Sequence, residues 1–157
     1  MPDLLVNLLK IPPMETEADQ SCLIRRAQPF ELTPMRTFIA TRFSWSWADE
    51  ASVGFANKPI SVYLATQQQE IVGFAAYECT RRAFFGPTGV VEEMRGRGVG
   101  RSLLLAGLWG LRELGYVYGI IGGVGPVRFY QKEVGAIVIP DSEPGIYTDL
   151  LNPATSE

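Results

Sequence analysis

Apolar and polar positions alternate or recur along this chain in short blocks, each closed by glycine, proline or a polar cluster. Residues 61–66 (Ser-Val-Tyr-Leu-Ala-Thr) alternate and are rich in strand formers. Gln67, Gln68 and Gln69 follow as a polar turn, and residues 71–80 return as a second apolar run, so the spacing predicts an antiparallel hairpin. A third strand is expected over residues 82–91, broken by Gly86, Pro87 and Gly89; inside a strand pattern these mark a bulge or the close approach of another backbone. Leu104, Leu108 and Leu111 recur at helical spacing ahead of Gly115, a natural C-terminal cap, which predicts a helix over residues 102–114. Residues 116–124 are continuously apolar, as in a strand covered on both faces.

Upstream, residues 21–27 read as a strand. Thr33 caps a helix that Pro34 opens, with Met35, Phe38 and Ile39 on one face. A second helix is expected to start at Ser46 with Asp49 as its capping partner, to bury Trp47, Ala51 and Phe55, and to end at Lys58-Pro59. Downstream, Pro126 opens a short helix through Lys132, and residues 136–139 and 145–151 read as a final hairpin. Residues 3–11 are apolar but too short to assign by period, and residues 14–20 form a polar linker. One domain over residues 1–157 is therefore expected, with 1–20 as an N-terminal extension, 21–151 as the core and 152–157 as a frayed tail. The strand–helix–strand unit around residues 100–115 implies one parallel crossover in a mostly antiparallel sheet. The fold class is α/β (α+β), with a mixed sheet of about six to seven strands whose central parallel pair is flanked by helices.

Composition narrows the chemistry. The 157 residues are 46% hydrophobic and 20% charged, a globular balance, and no apolar run is long enough to span a bilayer. Residues 1–10 lack the pattern of a secretory signal, so a cytoplasmic location is the expectation. A net charge of −3 disfavours a nucleic-acid partner, although Arg95, Arg97 and Arg101 form a local basic cluster. The two cysteines, Cys22 and Cys79, lie far apart in apolar contexts and read as buried and inert rather than as metal ligands or a disulfide. Histidine is absent altogether. That excludes Ser-His-Asp and Cys-His machinery, HExxH zinc sites and any histidine base, and leaves carboxylates, Tyr, Cys, Lys, backbone groups and water.

The most informative stretch is Arg95-Gly96-Arg97-Gly98-Val99-Gly100-Arg101, directly ahead of the helix. Successive backbone amides and the positive end of a helix suit an anion, and flanking arginines suit phosphate; a diphosphate is the favoured ligand. A Walker A loop fails here, because Arg95 stands where its first glycine belongs and Arg101 where its lysine does. The dinucleotide fingerprint GxGxxG fails at Arg101, and no alternating βαβ series surrounds it. The six residues from Arg95 to Gly100 do match the Q/R-x-x-G-x-G/A signature of the GNAT acyltransferases at every specified position. The element order from residue 21 to 151 also resembles that family's core, and Phe129-Tyr130-Gln131-Lys132, closing on Gly135-Ala136, is similar to its Phe-Tyr-x-Lys…Gly-Phe pattern with Ala136 in place of the second aromatic.

The resemblance implies an N-acetyltransferase that moves an acetyl group from acetyl-CoA, its co-substrate, to a primary amine, by direct attack on the thioester and without a metal. The pantetheine arm would lie between strands 84–91 and 116–124, paired with backbone groups of Thr88, Gly89 and Val90. The amides of Gly96, Arg97, Gly98, Val99 and Gly100, with Arg95 and Arg101, would cradle the pyrophosphate. Tyr130 is the implied acid for the departing thiolate. Many relatives place a glutamate on the strand entering the glycine loop; this chain has none there, and Glu78, then Glu93, are the substitutes, with a water chain as the alternative. Many relatives also carry an asparagine after the second parallel strand, where this chain has Gly122, Gly123, Val124 and Gly125. The acceptor site would be roofed by the first two helices, where Phe43, Trp45, Trp47, Asp49 and Glu50 form an aromatic and acidic rim suited to a cationic or amine-bearing acceptor, with small polyamine, amino sugar, amino acid and protein N-terminus all open; Trp45 and Trp47 are its candidate contacts. A homodimer is one assembly open to such a chain, because members of the family are often dimers. A non-catalytic acyl-CoA-binding module is the competing reading.

Overall fold

In a computed structural model, residues 1–18 and 22–152 are described. The strands are β1 (Leu4–Asn7), β2 (Glu17–Ala18), β3 (Cys22–Arg26), β4 (Val62–Gln67), β5 (Glu70–Tyr77), β6 (Phe84–Val90), β7 (Tyr118–Ile121) and β8 (Ile137–Val138). The helices are α1 (Leu32–Arg42), α2 (Trp45–Ser52), α3 (Val99–Glu113) and α4 (Val127–Val134). One eight-stranded sheet runs in the order β2-β3-β4-β5-β6-β7-β1-β8. Its ladders are antiparallel except for β6 with β7, the parallel pair expected at the centre. The sheet has one strand more than the upper expectation, and two of its eight strands are only two residues long.

Alternation along β4 and β5 sorts side chains between the two faces. Val62, Leu64, Phe74 and Ala76 face α1 and α2, where Met35, Ile39, Ala48 and Ala51 complete one buried cluster. Tyr63, Ala65, Ala75 and Tyr77 face α3, whose leucines build the larger cluster together with Tyr130 and Val134 of α4. The expected hairpin is β4–β5, turning at Gln68 and Gln69; both have positive φ (51° and 67°), as a two-residue turn joining twisted strands requires.

Four local expectations are corrected. α1 starts at Leu32 after Glu31 with no side-chain cap, so Thr33 lies within its first turn and does not cap it. The hydroxyl that caps α2 belongs to Ser44, which accepts from the Trp47 amide at 3.1 Å, so the helix starts one residue before Ser46. It buries Ala48 and Ala51, while Trp47 keeps about a third of its surface exposed (36%). The stretch 145–151 contains no strand, so there is no terminal hairpin.

The fourth correction concerns the N-terminal segment. Residues 4–7 are not an appendage: β1 lies within the sheet, pairing Leu4 with Ile121 of β7 on one side and with Val138 of β8 on the other. Leu4, Val6 and Leu8 are fully buried. An apolar run of this length is ambiguous by period alone, and tertiary pairing decides it. Part of the tail assigned to 152–157 lies outside the described residues.

Candidate functional site

Two strands that pair and then part form the centre of the site. β6 and β7 pair in parallel at Phe84/Ile120 and Phe85/Ile121. β7 ends at Ile121, whereas β6 continues to Val90 along β5, where Ala75 pairs with Thr88, Phe74 with Gly89 and Gly73 with Val90. Beyond Phe85, therefore, the edge of β6 that faced β7 lies along a fork. The glycine loop and the start of α3 follow directly at its open end.

Within that loop Gly96 and Gly98 sit at φ +81° and +82°, and a Cβ built on either would meet nothing within 4 Å. The left-handed backbone explains why glycine stands there, and the empty space above it leaves room for a ligand. Val99, Gly100 and Arg101 open α3, where the first amides have no acceptor within the helix. The residues present thus fit a diphosphate: open backbone, the positive end of a fifteen-residue helix, and exposed Arg95 and Arg97 beside it. Arg101 is placed otherwise. Its guanidinium is held by Glu133 at 2.7 Å and by Glu15, which also accepts from Ser102 Oγ at 2.7 Å. It ties the first turn of α3 to α4 and to the N-terminal segment.

On β6, Thr88 Oγ donates to the Phe74 carbonyl at 3.0 Å, and the open face of Gly89 lies against the Phe43 ring, 2.5 Å from where a Cβ would be. Gly89 is thus required by the aromatic cluster of Phe43, Trp47 and Phe74, whose rings lie 5.4–6.2 Å apart. Val90 ends β6, half-buried.

At the crotch of the fork opens a cavity of about 410 Å³. Phe84, Phe85, Gly86 and Pro87 form one wall, and Gly122 and Gly123 another. Trp47 and Glu50 of α2 roof it, with Thr80 beside them and Pro144, Tyr147 and Leu150 of the C-terminal segment opposite. Thr80 Oγ donates to the Glu50 carboxylate. Burial pushes the Tyr147 phenol toward higher pKa, and the negative charges of Glu50 and Asp3 add to the effect. The glycines after β7 have a packing reason: a Cβ on Gly122 would stand 2.7 Å from the Tyr147 hydroxyl and 2.9 Å from the Phe84 ring. Asp3, almost fully buried, fixes this wall by accepting from the Gly123 amide at 2.8 Å, while Ser142 Oγ accepts from its own amide at 2.9 Å.

The two carboxylates nominated from sequence as a base lie elsewhere. Glu78 accepts from the Ala83 amide at 2.6 Å and from the Tyr116 hydroxyl at 2.7 Å, closing the β5–β6 turn, and is not among the residues lining the cavity. Glu93 pairs with Arg42 at 3.1 Å. Of the aromatic and acidic rim, Trp47 and Glu50 reach the cavity, while Trp45 and Asp49 gather around Arg36 on the outer side of the helix. Tyr130 is buried on the α3 side of the sheet with its ring edge-on to Phe129, and burial pushes its phenol up to about 12. Tyr147 and Thr80 escaped sequence reasoning, because nothing in their local pattern distinguishes them from ordinary strand residues. Glu50 had been read only as one member of a rim.

No protein-family model matches the sequence, and neither does any curated protein. Solved structures do match. A GCN5-related N-acetyltransferase from Sphaerobacter thermophilus superposes with a TM-score of 0.68 at 19% identity, over 88% of this chain and 48% of its own. A GNAT-family acetyltransferase from Colwellia psychrerythraea gives 0.63 at 14% identity, over 87% of this chain and 52% of its own. The GCN5-related glucosamine N-acetyltransferase region of a fungal multi-domain GH3 β-N-acetylglucosaminidase gives 0.68 at 16%, over 88% of this chain and 19% of that one. The chain thus spans about half the length of the two bacterial proteins and a fifth of the fungal one. It has the fold of the GCN5-related N-acetyltransferases. No helix among the described residues is long and apolar enough to cross a membrane.

Proposed function

We propose that the protein is an acyl-CoA-dependent N-acyltransferase that moves an acetyl group from acetyl-CoA to a primary amine. The observation that carries this reading is the fork between β6 and β7 leading into a glycine loop with open space above Gly96 and Gly98. The pantetheine arm would run along the freed edge of β6 as an added strand, with its pyrophosphate on the amides of the loop and of the first turn of α3. The cavity at the crotch of the fork would receive the acceptor. The neighbours of this fold are N-acetyltransferases by name, which supports the same reading.

Direct attack forms the C–N bond and breaks the C–S bond. An alkylammonium loses two protons on the way to an amide; one ends on the CoA sulfur and the other goes to solvent. Tyr130, with its phenol held neutral by burial, is the proposed donor to sulfur. Backbone amides along the fork are the proposed stabilisers of the oxyanion. A non-catalytic acyl-CoA-binding module is the second reading, favoured by one observation: Glu78 and Glu93 are both committed to structural partners.

Thermal unfolding with and without acetyl-CoA tests the binding half. At 100-fold its dissociation constant the ligand adds about 2.7 kcal/mol, a rise of several degrees. Thiol release in the presence of a mixture of amines tests the catalytic half. A thermal shift without thiol release would select the binding module, and no shift would reject both.

A further inference from the structure

Among the described residues lining the cavity, Glu50 supplies the one charged side chain. Around it the walls are Trp47, Phe84, Pro87, Tyr147 and Leu150, aromatic or apolar. Lining of this kind has two consequences for a ligand. A single cationic centre can be matched, by the carboxylate that Thr80 orients, and the rest of the molecule meets surface that rewards apolar area rather than hydroxyls or further charges. A second charge of either sign is disfavoured: a second ammonium finds no second anion among the lining side chains, and a carboxylate beside the amine stands close to Glu50, while the ammonium of Met1, the other charged group on a lining residue, is already paired with Glu143. The volume, about 410 Å³, lies in the range of sites that enclose small molecules.

We infer that the acceptor is a small primary monoamine with an aromatic or apolar body, its ammonium recognised by Glu50 and its body packed on Trp47 and Tyr147. The inference rests on the acyltransferase reading for the fate of the amine, but not for its binding. It separates this acceptor from polyamines, amino sugars, amino acids and protein N-termini. Glu50 is thereby placed on the substrate nitrogen, the position that neither Glu78 nor Glu93 reaches.

The test compares 2-phenylethylamine, phenylalanine, spermidine and glucosamine as acceptors for wild type, Glu50→Gln and Glu50→Asp, with thermal shift by acetyl-CoA measured on each. The glutamine keeps an oxygen for Thr80, and the aspartate keeps the charge. Wild type is expected to favour 2-phenylethylamine over phenylalanine by about 100-fold in kcat/KM. Glu50→Gln should lower the 2-phenylethylamine value about 30-fold, chiefly through KM, as loss of a charge-assisted contact does, while changing the phenylalanine value less than about threefold. Glu50→Asp should retain the preference. Calorimetric titration of 2-phenylethylamine in the absence of acetyl-CoA reads the cavity alone, and the glutamine variant should bind about tenfold more weakly. A preference for spermidine, glucosamine or phenylalanine, or an unchanged preference in Glu50→Gln, overturns the inference and leaves the acyltransferase reading standing. Absence of the acetyl-CoA shift with Glu50-dependent amine binding intact does the reverse.

Discussion

The glycine loop and the acceptor cavity are two ends of one fork, yet they are built on opposite plans. The loop is contiguous, seven residues from Arg95 to Arg101, and what it offers a ligand is backbone: amides, positive-φ glycines and a helix start. The cavity is gathered from six places in the chain, and what it offers is mostly side chains: Met1 from the N-terminal segment, Glu50 and Trp47 from α2, Thr80 after β5, Phe84 and Phe85 from β6, and Tyr147 from the C-terminal segment, around the glycines after β7. A backbone site can be read from local sequence, because glycine spacing fixes the backbone. A side-chain site depends on packing between distant elements, and local sequence carries little of it.

Breaking the loop should therefore act on the nucleotide alone. Gly98→Trp sets a bulky residue at φ +82° and fills the space above the first amides of α3; loss of acetyl-CoA affinity of about 100-fold or more is expected by calorimetry, with the circular dichroism spectrum unchanged. Tyr130→Phe belongs to neither end and should reduce kcat about 100-fold with little change in either KM. It has a second signature. With the phenol near 10 when unfolded and about 12 when buried, its contribution to stability is complete below pH 10 and is lost as pH rises from 10 through 12. Urea titrations across that window should show a decline of at most about 3 kcal/mol from this group, shallower in the phenylalanine variant.

Breaking the cavity should spare the nucleotide. Gly122→Ala pushes a methyl toward the Tyr147 hydroxyl and the Phe84 ring, so the amine KM is expected to rise about tenfold while the acetyl-CoA shift persists. The finest contrast is within the loop's own arginines. Arg101→Ala, whose guanidinium serves Glu15 and Glu133, should lower acetyl-CoA affinity less than about threefold. Arg95→Ala should lower it about fivefold, an effect that fades as salt is raised.

The same division explains what was legible beforehand. The β4–β5 hairpin and α3 followed from alternation and from leucine spacing, because each is long enough to show its period, whereas β7 is no longer than β1 and followed from the continuous apolar run that comes after α3. The four residues of β1 have no such preceding element, and their membership of the sheet is decided by Ile121 and Val138, far along the chain. Residues 145–151 read as a strand from their pattern, but the place beside β7 is taken by β1, and the segment instead brings Tyr147 to the cavity. Ser44 rather than Ser46 caps α2 because two serines stand within reach and only the geometry chooses. In the candidate site, the loop glycines were legible and the position of Glu50 at the fork was not. It shares the helix with Asp49, and only the turn of the helix separates the carboxylate that faces the cavity from the one that faces Arg36.

The placement of β1 also bears on how the chain matures during synthesis. A strand synthesised long before its partners acquires no ladder partner until Tyr118–Ile121 and then Ile137–Val138 have left the ribosome. Until then Leu4, Val6 and Leu8 are sticky surface on a nascent polypeptide, a natural handle for a chaperone. The wall of the fork that β7 provides, and the Asp3 clasp on Gly123, form only when that late pairing occurs. Assembly of the acceptor end therefore cannot precede synthesis of Tyr118–Ile121.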